Sequence, residues 1–237
     1  MTSHTFVLVH GAWHGGWCYV RVKKLLEQAG HTVFTPSMSG MAEHAHAYSP
    51  AINLSTHIQD IAGLIETENL HDIVLVGHSY GGLVITGVAD ALPDRIKALA
   101  YLDAFIGRDN TSTFDLDLKD AVAAHLDRAQ SNGGHTVPPI PGEIFGVNLT
   151  DRAWVDAKCT PQPFATLAER VRLTGKHETI TNRVFIFANG WAGTPFRSQY
   201  DSVRGRADWR TEEMACGHDV MVDDPEGTTR ILLSLLD

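Results

Sequence analysis

The pentapeptide Gly77-His78-Ser79-Tyr80-Gly81 stands directly between the apolar run Ile73-Val74-Leu75-Val76 and a helix-like stretch over 82–92. This is a G-x-S-x-G pattern in the context of strand, sharp turn and helix, and it constrains the chain more than any other feature. A serine at the apex of so tight a turn takes a strained backbone conformation, with its Oγ pushed out above the sheet. The flanking glycines let strand and helix approach without a Cβ clash. Ser79 is the candidate nucleophile, weighed against a small residue that merely fills a tight turn.

Around this turn, strand-like and helix-like segments alternate. Short, largely apolar runs at 5–9, 32–35, 73–76, 96–102 and 183–188 read as strands, and 209–214 is the candidate for the last. Apolar spacing near 3.6 predicts helices over 17–28, 53–69 and 82–92, and the chain closes on an apolar helix over 228–236. Asn53 or Ser55 could cap the second helix. The Ser-, Gly- and His-rich stretch 37–50 reads as loop. Such alternation implies a mainly parallel sheet of about six strands with helices on both faces. The rhythm breaks over 107–176, where helical patterns at 116–130 and 166–173 flank a Gly/Pro-rich middle with no clear strand. This stretch reads as a small helical cap inserted after the strand ending at Asp103, between core segments 1–106 and 177–237.

A serine hydroxyl needs a base, and the base needs an orienting acid. Behind this kind of turn the partners follow in the order Ser, Asp or Glu, His. Among 13 histidines, His218 follows the last strand, in Cys216-Gly217-His218-Asp219, and is the candidate base. The usual place for the acid is the loop Ala188-Asn189-Gly190-Trp191-Ala192-Gly193, which holds no carboxylate. Asp103, at the tip of a buried strand on the active edge of the sheet, is preferred, with Asp201 or Asn189 as alternatives. An oxyanion hole needs two backbone N–H groups. Tyr80 supplies one; Ala12, in His10-Gly11-Ala12-Trp13-His14-Gly15-Gly16-Trp17, is the first choice for the other, and Trp13 the next. Trp13, Tyr80 and Phe105 flank these segments and rank first for substrate contact, ahead of Trp17, Phe145, Trp154 and Phe164.

Net charge bounds the partners. At −9, the chain lacks the basic patch that nucleic acid or an anionic membrane requires. No apolar run approaches a membrane span, and the strand near the N-terminus leaves no room for a signal peptide, so a cytoplasmic protein is expected. Three cysteines give neither a disulfide framework nor metal spacing, and no metal, nucleotide or flavin motif is present, so no cofactor is expected. Oligomeric state stays open between monomer and homodimer.

His10 to Trp17, Gly77 to Gly82 and Gly217-His218-Asp219 resemble the plant methylesterases and hydroxynitrile lyases with their bacterial esterase relatives, which share the α/β-hydrolase fold. Tyr101-Leu102-Asp103-Ala104-Phe105 and Thr160-Pro161-Gln162-Pro163 look like the bacterial branch. The plant enzymes carry the triad aspartate after the strand matching 184–187, which this chain lacks, so the resemblance supports Asp103. The lyases have a threonine beside the oxyanion site and a lysine after the histidine, where this chain has Ala12 and Asp219. The resemblance therefore implies ester hydrolysis, through an acyl-enzyme at Ser79, of small apolar or aromatic esters. Carbamates and activated amides react by the same steps. A lyase, a cofactor-free oxygenase and a ligand-binding receptor on a retired hydrolase are the readings of other classes.

Overall fold

A computed structural model describes residues 3–236. The chain runs β1 (Thr5–Val9), α1 (Val20–Gln28), β2 (Thr32–Phe34), α2 (Leu54–Thr67), β3 (Ile73–His78), α3 (Gly81–Ala91) and β4 (Ile96–Leu102). After an intervening segment come β7 (Arg183–Ala188), α8 (Arg197–Val203), β8 (Arg210–Met214), α9 (Val220–Asp223) and α10 (Pro225–Leu233). Six strands form one parallel sheet in the order β2-β1-β3-β4-β7-β8.

The continuous apolar runs of the central strands have a simple cause: both faces are covered, so both sets of alternating side chains must be apolar. Val7, Leu75, Leu99 and Phe185 enter one core with α2 and α3. Their neighbours Phe6, Val74, Ala98 and Val184 enter a second core with Val22 and Leu26 of α1 and Leu232 of α10. Each buried Val, Leu or Phe among them contributes about 1.5–3 kcal/mol by leaving water.

Helix starts follow local chemistry. Asn53, not Ser55, caps α2: its side chain accepts from the Thr56 N–H while the Thr56 hydroxyl accepts from the Asn53 N–H. The last helix begins at Pro225, three residues before the predicted 228, because Asp224 accepts from the Gly227 N–H and proline suits the first turn.

Between β4 and β7 lie α4 (Thr113–Leu116), α5 (Lys119–Ser131), β5 (Thr136–Val137), α6 (Arg152–Lys158), β6 (Gln162–Pro163) and α7 (Phe164–Ala168). The helix expected over 116–130 is α5, which starts at Lys119; the short α4 precedes it, set by a Ser112–Asp115 capping box. The helix expected over 166–173 stops at Ala168, where Glu169 turns out to bind the N–H and hydroxyl of Ser55. Contrary to the strandless expectation, β5 and β6 pair antiparallel, with Val137 opposite Gln162. Among the described residues no helix is long and apolar enough to cross a membrane.

Candidate active site

Parallel strands deliver their C-terminal ends to one edge of the sheet, and open α/β sheets place their chemistry there. At that edge β3 passes into α3 through Ser79, whose φ of +54° is the strained conformation expected of an elbow serine. The turn is held by Ser79 N–H to Leu102 O at 3.2 Å, and by Gly82 and Phe105 N–H groups on the Ser79 carbonyl at 3.0 and 3.1 Å. Glycine at 81 is steric necessity: a Cβ there would lie 2.6 Å from His10 O and 2.7 Å from Val9 O. Both obstacles are backbone, so Gly81→Ala is expected to destabilise the protein by more than the about 1–3 kcal/mol typical of overpacking, read as a falling urea midpoint. A midpoint equal to wild type would contradict this steric account.

Asp103, directly after β4, has φ +42° and is fully buried. Its Oδ2 accepts from His218 Nδ1 at 2.8 Å and from Trp191 Nε1 at 3.1 Å, and its Oδ1 accepts from the Ala188 N–H at 3.2 Å. This geometry puts the His218 proton on Nδ1 and leaves Nε2 to act as base. The alternatives are elsewhere. Asn189 is exposed and donates to Glu213 Oε2, and Asp201 is exposed on α8. His218 is caged by aromatic rings, with Phe196 stacked at 5.0 Å and Trp191 and Phe145 at 5.0 and 5.3 Å. Burial pushes its pKa down to about 4, against an opposing pull from Asp219.

Ser79 and His218 line one cavity of about 160 Å³, with Ala12, Trp13, Tyr80 and Phe105. That volume suits a group about the size of one aromatic ring. Residues the sequence reading missed complete it: Trp191 and Phe196 from the loop after β7, and Asp117, His125, Ile144 and Leu167 from the segment over the sheet edge. Phe145 lines it too, whereas Trp17, Trp154 and Phe164 do not; Trp17 and Trp154 instead pack edge to face on each other at 5.1 Å. Trp191 sits in the loop that holds no carboxylate, and its indole N–H reaches the acid, Asp103, instead.

The loop after β1 is organised by buried histidines. His10 donates from Nδ1 to Gly11 O at 2.8 Å and accepts at Nε2 from the Met38 N–H at 3.1 Å, so it is neutral. Holding the Gly11 carbonyl turns the Ala12 N–H of the same peptide the opposite way. Neither the Ala12 nor the Tyr80 N–H donates to a protein acceptor among the described residues. The Trp13 N–H, the second choice for the hole, is committed to Gln162 Oε1 at 3.1 Å. His14 faces acceptors with both nitrogens, Ala12 O at 2.8 Å and Asp219 Oδ2 at 3.0 Å, and stacks on Trp17 at 5.2 Å. Burial lowers its pKa, but the Asp219 charge and hydrogen bond outweigh that and raise it, so the pair is imidazolium and carboxylate. Asp219, which stands where the lyases carry lysine, is thus an internal counter-ion.

A family model described as the alpha/beta hydrolase family matches residues 6–231. The chain is similar to a carbendazim hydrolyzing esterase of Nocardioides sp. (strain SG-4G), 42% identical over 97% of this chain and 98% of that protein. It is also similar to an alpha-hydroxynitrile lyase of Arabidopsis thaliana, 37% identical over 44% of this chain and 41% of that one. Among solved structures, an extracellular alpha/beta-hydrolase from a Paenibacillus species superposes with a TM-score of 0.86 at 22% identity, covering 98% of both chains.

Proposed function

Because the chain belongs to the alpha/beta hydrolase family, and its relatives of nearly full length and of partial length are esterases and a lyase, we propose that it is a serine carboxylic-ester hydrolase acting on small apolar or aromatic esters. The observation that carries this reading is the Asp103–His218 hydrogen bond beside a ring-sized apolar cavity that Ser79 also lines.

In this reading Ser79 Oγ attacks the acyl carbon while His218 Nε2 takes its proton. Asp103 holds the imidazole tautomer and stabilises the imidazolium. The N–H groups of Ala12 and Tyr80 hold the oxyanion. The imidazolium protonates the departing alcohol and leaves an acyl-serine. Water then gives a proton to His218 and its oxygen to the acyl carbon, and Ser79 leaves with the proton as the acid departs. Cys18, Cys159 and Cys216 are unpaired, which suits the reducing cytoplasm.

A carbamate is the second reading, favoured by the 42% identical carbendazim hydrolyzing esterase, since carbendazim is a carbamate. Its carbonyl meets the same serine, base and oxyanion donors. Cyanohydrin cleavage is disfavoured, because the residue after the base is Asp219, already paired with the His14 imidazolium, which offers no free cation to a departing anion.

The test is 4-nitrophenol release from the acetate and butyrate, with a fluorophosphonate adduct mapped by mass spectrometry. The adduct is expected on Ser79, and Ser79→Ala should lower turnover by at least about 10⁴-fold. Turnover by that variant at the wild-type rate would end the proposal.

A further inference from the structure

The oxyanion loop is held from two sides, and one of them is not part of the sheet scaffold. Trp13 has φ +65°, a conformation that costs a non-glycine residue about 1–3 kcal/mol and persists only where the surroundings impose it. Three hydrogen bonds from 137–162 impose it: Trp13 N–H to Gln162 Oε1 at 3.1 Å, Thr160 N–H to Trp13 O at 2.8 Å, and Trp13 Nε1 to Val137 O at 3.0 Å. Val137 and Gln162 are the paired residues of the β5–β6 ladder, so this two-rung ladder, with Thr160 just before β6, grips one tryptophan by its N–H, its carbonyl and its ring.

The Gln162 amide is itself oriented. Thr166 Oγ1 donates to Pro163 O at 2.6 Å, so its oxygen can only accept from Gln162 Nε2. That turns Oε1 toward Trp13. Gln162 and Thr166 are both fully buried. On the other end of the same peptide, the Ala12 carbonyl accepts from His14, anchored on Asp219. A planar peptide held at its N–H and its C=O cannot rotate, so the ψ of Ala12 and the φ of Trp13 are fixed together. Ala12 N–H is then locked by the Gly11 carbonyl before it and by the clamped peptide after it.

We infer that Gln162, oriented by Thr166, is a positioning residue for the oxyanion hole, so that the segment over the sheet edge preorganises the chemistry as well as enclosing the substrate. This rests on the proposed serine-esterase reading. Losing the Gln162 acceptor frees one side of the clamp. The Ala12 N–H then drifts from the position where charge develops in the transition state, while the apolar cavity that binds the ground state is unchanged.

The test uses the whole protein and 4-nitrophenyl butyrate, with kcat normalised to fluorophosphonate-reactive serine so that unfolded molecules are not counted. Gln162→Leu, similar in size without the acceptor, is expected to lower kcat by about 10–100-fold with KM within twofold, because small displacements of a donor cost that much. Gln162→Glu, held protonated by burial, keeps an acceptor for the Trp13 N–H and an O–H for Thr166 Oγ1, and should recover most of the loss. Thr166→Val leaves the amide free to turn over and should lower kcat by several-fold. Affinity for a trifluoromethyl ketone, which forms the tetrahedral adduct, should fall with kcat in each variant, whereas affinity for butyrate should not. A merely structural role would lower the melting temperature and leave normalised kcat alone. Normalised kcat within twofold of wild type in Gln162→Leu overturns the inference, and if that variant does not fold, the same result in Thr166→Val does. Ser79→Ala separates the two claims: turnover there overturns the esterase reading, whereas an inactive Ser79→Ala beside unimpaired Gln162 and Thr166 variants overturns only the positioning role.

Discussion

Asp103→Asn is expected to lower kcat for 4-nitrophenyl butyrate by about 10³–10⁴-fold, with KM changed by no more than a few-fold. The size follows from which hydrogens the three partners of Asp103 carry. Ala188 N–H, Trp191 Nε1–H and His218 Nδ1–H all donate to it. An asparagine has one oxygen to offer. If that oxygen stays with Ala188, the NH₂ faces His218 and Trp191. The imidazole must then accept at Nδ1 and carry its proton on Nε2, the nitrogen required as base, and the indole N–H meets another donor. If the amide turns over, the Ala188 N–H is orphaned in a buried site, at about 1–3 kcal/mol. In the first case the base carries the wrong tautomer; in the second it keeps its orientation but loses the negative charge that stabilises the imidazolium, while the cavity that binds substrate is untouched. Asn189→Ala and Asp201→Asn should stay within twofold of wild type, since both side chains are exposed and neither contacts His218. The reverse pattern, a silent Asp103→Asn beside a crippled Asn189→Ala or Asp201→Asn, would remove Asp103 from the triad.

How far these features could be read from the sequence depends on how local their causes are. The four central strands were legible because burial on both faces demands unbroken apolar runs, and the elbow because only glycine fits where strand meets helix at 77 and 81. Asp103 was legible as a carboxylate ending a buried strand. What escaped was set by contacts distant in sequence. The β5–β6 ladder has two rungs, too few for any periodicity, and its partners are 25 or so residues apart. Gln162 reads only as part of a family-like Thr-Pro-Gln-Pro stretch, since nothing local says that its amide meets a backbone N–H 149 positions earlier. Trp191 and Phe196 lie in a loop without periodic signal, although they wall the base. The helix over 166–173 failed because Glu169 is drawn to Ser55, a tertiary contact that overrides propensity.

The buried histidines that shape the site also make the fold sensitive to acid, and this is the largest stability effect expected. His10 accepts from Met38 N–H at one nitrogen and donates at the other, so it has no room for a second proton, and burial pushes its pKa down to about 3. His57 donates from Nε2 to Ser39 O and presents Nδ1 to the Tyr80 hydroxyl, and burial lowers it too. His78 donates from Nε2 to His218 O, and burial with the neighbouring His218 holds it well below the ordinary value. In the unfolded chain all three take up protons near pH 6.5. Below that pH the unfolded state binds more protons than the folded one, so stability is full above about 6.5 and falls as pH falls. Each histidine that stays neutral in the fold adds up to about 1.4 kcal/mol per pH unit, and Asp103, whose carboxyl pKa is pushed up by burial, offsets part of the sum. Against a typical reserve of about 5–15 kcal/mol, a loss on this scale is a large fraction of the stability, so the fold is expected to weaken steeply between pH 6.5 and about 4.5. The other two members of the network do not prevent this. The raised pKa of His14 gives a contribution already complete below pH 6.5, and the lowered pKa of Asp219 keeps its contribution intact until far more acid conditions. His218, pushed down to about 4, would still be a neutral base where the fold is already failing. Activity assayed within seconds of a jump to pH 5 should therefore exceed activity after equilibration there, with urea midpoints falling steeply from pH 6.5 to 5. Midpoints that stay level across that interval would show that these imidazoles accept protons inside the fold, against the hydrogen bonds that hold them.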